Sequence, residues 1–170
     1  MLIVTAGRTG PNKSVRFGGD LSLDEHGRRD AARLRDTVVE AITCGGPIVV
    51  GPERAAADTV AQLGVNARVV PALVSLDVGA WSGLTPEEIA PEDLATWFTD
   101  PTSRPHGGES VADFVARIHR WRTDSVTLPD VCVVTMPVAQ ALLTADAEEY
   151  FRVEIRPATS YSLPAEGTEV

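Results

Sequence analysis

Apolar residues recur along this chain in two rhythms. Short unbroken runs, Leu2-Ile3-Val4, Ile48-Val49-Val50 and Val131-Cys132-Val133-Val134, run into turns marked by Gly or Pro. Such runs read as buried strands. Between them, apolar positions fall at helical spacing. Leu34, Val38, Val39 and Ile42 mark one side of a helix predicted over 24–43 and stopped by Gly45-Gly46. Asp24 can cap it, and Ser22 with Glu25 is a competing capping box. Pro52 is placed at the first helical position of a second helix that ends at Leu63, before Gly64, with Ala56, Val60 and Leu63 inward. A third strand is predicted over 67–70, ended by Pro71.

Residues 71–109 are the least regular. Thr85-Pro86-Glu87-Glu88 carries a capping box and a proline at the first helical position. A short helix is predicted over 91–98, then a loop over 100–108. Ser110 caps a long helix with Phe114, Val115, Ile118 and Trp121 inward. A fourth strand follows at 131–135, a short helix at 137–145 and a last strand within 158–163. Alternating apolar strands and amphipathic helices predict a mainly parallel sheet with helices on both faces. That is a three-layer α/β/α fold in a single domain over 1–170, for which a chain of 170 residues is long enough.

Charge narrows the partners. A formal net charge of -9 argues against a nucleic-acid or anionic-membrane surface. No apolar run approaches the ~20 residues of a membrane span, and the N-terminus enters a strand at once. Cys44 and Cys132 are the only cysteines, and two buried thiols are expected rather than a disulfide. A zinc site has too few ligands, no cofactor is expected, and a reducing cytoplasm fits.

Three strand ends can converge on one site: Thr5-Ala6-Gly7-Arg8-Thr9, Gly51-Pro52-Glu53-Arg54 and Thr135-Met136-Pro137. These stretches, in order with others, resemble the histidine phosphatase superfamily, whose fold is phosphoglycerate-mutase-like. The first sits where that family has Arg-His-Gly-Glu-Thr, and Asn12 matches an Asn often found just after. Leu23-Asp24-Glu25-His26-Gly27-Arg28-Arg29-Asp30-Ala31 looks like Leu-Thr-x-x-Gly-x-x-Gln-Ala. Gly51-Pro52-Glu53-Arg54 with Asp58-Thr59 resembles Ser-Pro-x-x-Arg followed by Gln-Thr. Asp77-Val78-Gly79-Ala80-Trp81-Ser82-Gly83-Leu84 is similar to Asp-Phe-Gly-x-Trp-Glu-Gly-Leu. Pro105-His106-Gly107-Gly108-Glu109-Ser110 resembles Pro-x-Gly-Gly-Glu-Ser, and Val133-Val134-Thr135-Met136 falls at Val-Val-Ser-His.

The resemblance implies a nucleophilic His, two Arg, a second His and a Glu acid. Here those positions hold Ala6 for the nucleophile, Thr5 for the first Arg, Met136 for the second His and Ser75 for the acid; Arg54 alone remains. Ala has no nucleophile, and the charge on a transferring phosphoryl group must be met by preorganised donors. Losing one such donor costs about 3–4 kcal/mol.

Thr5, Arg8, Asn12, Arg54, Ser75, Thr135 and Met136 are therefore the candidate ligand-binding residues, with His106 and Asp77 as candidate acid–base groups. Each has a plainer reading. Arg8 can point to water, the hydroxyls can cap strand and helix ends, and Met136 can fill a core gap. Arg16 and His106 can be solvent-exposed loop residues, and Asp77 can hold a glycine turn. Arg54, in the first turn of a helix, is favoured as an anion binder supported by the helix amides. Trp81 and Trp97 are expected to pack the irregular region onto the sheet, with a wall for an apolar or aromatic ligand as the alternative.

Two functions follow from this reading. One is an enzyme repurposed for a lyase, cyclase or isomerase step on a small anionic or carbonyl-bearing metabolite. The alternative is a non-catalytic ligand-binding or scaffold protein. A residual phosphatase or mutase ranks below both.

Overall fold

The structure is a computed structural model and describes residues 1–10, 16–42 and 46–163. Asn12 and Cys44 lie outside the described residues, as does the predicted helix stop at Gly45. Five strands form one sheet: β1 (Leu2–Thr5), β2 (Ile48–Val50), β3 (Arg68–Val69), β4 (Val131–Val134) and β5 (Ser160–Ser162). Their order is β3-β2-β4-β1-β5. The first four run parallel, and β5 pairs antiparallel with β1.

Strand residues alternate between two faces, and both faces are covered. Ile3, Val49, Cys132 and Val134 join one core with Phe114, Ile118 and Leu142. These last come from α5 (Val111–Asp124) and α6 (Met136–Leu143). Val4, Val50, Val131 and Val133 join a second core with Val38, Ala56 and Leu63. Those belong to α2 (Arg35–Ala41) and α3 (Arg54–Leu63). This is the three-layer arrangement expected of continuous apolar strands, and each large side chain fully buried here stabilises it by about 1.5–3 kcal/mol. Cys132 lies at the sheet centre, where burial pushes its thiol up to about 12.

The helix predicted over 24–43 is two helices, α1 (Glu25–Ala32) and α2, joined at Arg33-Leu34. Asp24 caps α1, accepting from the Gly27 amide at 2.6 Å. The break has a packing reason. Gly27 presses against the backbone of Arg8, where an added Cβ would lie 2.1 Å from the carbonyl oxygen. Ala31 packs with Ala6, Leu23 and Ala55, while Val38 must reach the core under β2. One straight helix does not serve both contacts.

Pro52 lies two residues before the first helical position rather than at it, since Glu53 is the N-cap of α3 and Arg54 its first residue. Thr85 and Glu88 do form the capping box, on a single 3₁₀ turn over Pro86–Glu88. Helix α4 spans Pro91–Thr99. Trp81 and Trp97 are both buried against the same core, as the packing reading required.

Candidate functional site

A cavity of about 800 Å³ opens beyond the carboxyl ends of β1, β2 and β4. Ala6, Gly7 and Arg8 follow β1 at its wall, and Thr135 and Met136 follow β4. Glu53 follows β2, and Ser75, Leu76, Asp77 and Val78 come from the irregular segment. Residues 16–21 close another side. That stretch is tied across the cavity mouth: Arg16 donates to Gly83 O at 2.6 Å, and Phe17 exchanges backbone bonds with Leu84 and Gly83.

The turn after β1 is held by its backbone. The Ala6 amide donates to Val134 O at 2.7 Å, and Ala6 O accepts from the Ala158 amide at 3.1 Å. The Gly7 amide donates to Thr59 Oγ1 at 3.0 Å. A Cβ on Gly7 would meet Gly27 O at 2.7 Å, so only glycine allows α1 and this turn to close up. Ala6 presents a methyl group to the cavity and is only 5% exposed. Arg8 is exposed at the wall, and its guanidinium makes no hydrogen bond or ion pair among the described residues.

Thr5 does not reach the cavity. It is fully buried, donates to Arg156 O at 2.6 Å and accepts from the Thr159 amide at 2.9 Å. Its hydroxyl pins the segment that brings Pro157 to the cavity wall. Arg54 is also displaced from its expected place. Its side chain is exposed and does not line the cavity. The amide that was to support an anion donates instead to Asp20 Oδ1, at 2.6 Å. The helix N-terminus is thus occupied by the chain's own carboxylate.

His106 neither lines the cavity nor faces solvent. It is 3% exposed and packs edge-to-face on Trp81 with ring centroids 5.0 Å apart. Its Nδ1 accepts from the Gly108 amide at 3.0 Å, and its Nε2 has no partner among the described residues. Burial lowers its pKa, against the charge of Asp77, so the imidazole is neutral. Asp77 does line the cavity, yet its Oδ1 accepts from the Gly79 amide at 2.9 Å and holds that turn. The two candidate acid–base groups are therefore structural in their bonding. Met136 is not a core filler: at the first position of α6 it is 41% exposed on the cavity wall.

Ser75, Thr135 and Glu53 form a linked group at the floor. Thr135 Oγ1 donates to Ser75 Oγ at 3.3 Å. The Ser75 amide donates to Glu53 Oε1 at 2.5 Å, while Glu53 Oε2 is buried with no partner among the described residues. Burial raises the Glu53 pKa, and Asp20 adds to it, against the Ser75 amide and Arg117. Sequence reading missed Glu53. The available signal was Gly51, because a Cβ there would lie 2.9 Å from Glu53 Oε2. Of the aromatic residues lining the cavity it named Trp97 as a possible wall and missed Phe17, Tyr150 and Phe151.

The charged groups at the cavity are Arg8 and Arg16 against Asp20, Glu53 and Asp77. Among the described residues no His, Cys, Asp and Glu cluster could hold a metal ion. No helix of the described residues is long and apolar enough to cross a membrane.

The chain is 33% identical over 128 residues to glucosyl-3-phosphoglycerate phosphatase of Mycobacterium tuberculosis, a match covering 69% of this chain and 56% of that protein. The chain thus spans about half the length of that relative. The solved mycobacterial glucosyl-3-phosphoglycerate phosphatase in complex with VO3 superposes with a TM-score of 0.79 at 28% identity, over 94% of this chain and 90% of the other. A phosphoglycerate mutase from Thermus thermophilus shares the fold, with a TM-score of 0.73 at 23% identity over 94% and 89% of the two chains. These relatives overturn the lyase, cyclase or isomerase reaction expected from the sequence. They are named for phosphate-ester chemistry, and the acid–base pair that reaction required, His106 and Asp77, is tied up in turn hydrogen bonds. With its sequence profile matched over residues 1–167, the chain belongs to the histidine phosphatase superfamily (branch 1).

Proposed function

We propose that the cavity recognises a phosphate ester or a closely similar small anionic metabolite, and that it does so as a degenerate family member without phosphohistidine chemistry. The ligand class is supported by the relatives' names and by Arg8, a cation at the cavity wall whose guanidinium has no partner among the described residues. Hydrogen bonds from a guanidinium to phosphate oxygens are charge-assisted and bidentate. The observation that carries the second half is Ala6. It stands directly after β1 on the cavity wall, where a phosphoryl-accepting side chain would have to be, and offers a methyl group. No histidine lines the cavity among the described residues to replace it.

Phosphatase-type hydrolysis is the reaction class that the relatives favour. In this chain it would require direct attack by water, with the Ser75, Thr135 and Glu53 group as the available proton-handling surface. Calorimetric titration with inorganic phosphate and glycerol phosphate tests the ligand class. Saturable binding weakened in Arg8→Ala supports it, and no heat with any phosphate compound refutes it.

A further inference from the structure

The cavity is much larger than a phosphate group needs, and its far wall has a chemistry of its own. Four of the chain's nine aromatic residues line it: Phe17, Trp97, Tyr150 and Phe151. They form one continuous arc. Phe17 meets Trp97 at 5.6 Å between centroids, Trp97 meets Phe151 at 4.8 Å, and Phe151 meets Tyr150 at 5.0 Å, all tilted or edge-to-face. They arrive from three separate elements: the tied stretch at the mouth, α4, and the 3₁₀ turn at Tyr150–Arg152.

Trp97 and Tyr150 are buried in the core, while Phe17 and Phe151 keep exposed surface at the cavity; from that apolar, aromatic surface we infer that the ligand carries an aromatic ring. The anionic group sits at Arg8 and the ring lies against Phe17 and Phe151. This rests on the anion-binding reading above and adds the class of the ligand's other end.

A sugar or glycerol end fits this wall poorly. Buried hydroxyls need hydrogen-bond partners, and leaving them unpaired costs affinity. Phe17, Leu76, Val78 and Phe151 supply none, the Tyr150 hydroxyl is already directed at Pro137 O at 3.4 Å, and Trp97 Nε1, without a partner among the described residues, is itself buried. An aromatic ring asks for no such partner, and its edges and faces complement the rings already arranged there.

The test uses methylphosphonate and phenylphosphonate, which share an uncleavable head and differ in the ring. Titration of the full chain should give phenylphosphonate at least about tenfold tighter binding, from apolar burial and ring–ring contact. Phe17→Leu and Phe151→Leu should each shrink that ratio by at least about threefold. Circular dichroism confirms that each variant is folded, and the wild-type ratio stands even if one is not. Equal affinity of the two phosphonates overturns the aromatic-ring inference and leaves the anion reading intact. A large ratio unchanged in both folded variants places the ring elsewhere and overturns it too. Binding of neither phosphonate, nor of inorganic phosphate, overturns the anion reading itself.

Discussion

The Ser75 amide donates to Glu53 Oε1 at 2.5 Å, joining the turn after β2 to the irregular segment that forms the cavity floor. The same carboxyl keeps Oε2 buried without a partner among the described residues. A group held this way is held at a cost, since burial disfavours its charged form. Its folded pKa is raised, so its contribution to stability is full below the ordinary value and is lost as pH rises through the folded pKa. Glu53→Gln keeps an acceptor for the Ser75 amide and removes the charge. It should raise the melting temperature by about 2–4 °C above neutral pH. The gain should vanish near pH 4. A melting temperature lowered at every pH would show that the charge is stabilising.

Arg8 and Arg54 separate the site as folded from the site as the sequence suggested. Arg8→Ala should weaken phosphate-ester binding by about 10–100-fold, the worth of charge-assisted hydrogen bonds. Arg54→Ala should change it by less than about twofold, because its side chain lies off the cavity. Titration of both variants checks this. The reverse order would return the anion to the α3 terminus.

Thr5 is a structural tie between β1 and the chain before β5. Thr5→Val keeps the volume and leaves Arg156 O and the Thr159 amide without their partner. The expected loss is about 1–3 kcal/mol, read by chemical denaturation. Ligand affinity at saturating folded protein should be almost unchanged.

His106 makes stability depend on pH. Its pKa is lowered in the fold by burial, so the neutral ring's stabilising share is present above the ordinary value of 6.5. That share is lost as pH falls from there through the folded pKa, because protonated Nδ1 cannot accept from Gly108. In His106→Asn the side-chain carbonyl still accepts that proton and does not titrate. The variant should be less stable overall, yet its melting temperature should fall less steeply between pH 6.5 and 5. Equal slopes would remove His106 as the cause.

Much of the architecture was legible in the sequence because strand burial and helix periodicity are local signals. Val131 to Val134 reads as a doubly buried strand and is one. The break between α1 and α2 was not legible, because α1 packs on the turn after β1 through Gly27 and Ala31 while α2 packs under β2 through Val38, contacts between distant stretches. The same limit governs the site. Ala6, Arg8, Ser75, Asp77, Thr135 and Met136 were found at the cavity wall because each lies at a strand end or in the segment beyond it. Thr5 was misplaced because strand alternation turns it toward residues 156–159 rather than the cavity. Arg54 was misplaced because Asp20, far away in sequence, takes the helix amide. The aromatic wall draws on three elements with no shared motif.

Under the proposed function a phosphate ester is held beside Ala6 without forming a phosphohistidine. Mixing the protein with a labelled phosphate ester, quenching in alkali and measuring intact mass probes this without an intermediary, since phosphohistidine survives alkali and is lost in acid. The expected result is saturable ester binding and no protein carrying an added phosphoryl group at any quench time. An alkali-stable, acid-labile phosphoryl adduct on the chain would refute the proposed function.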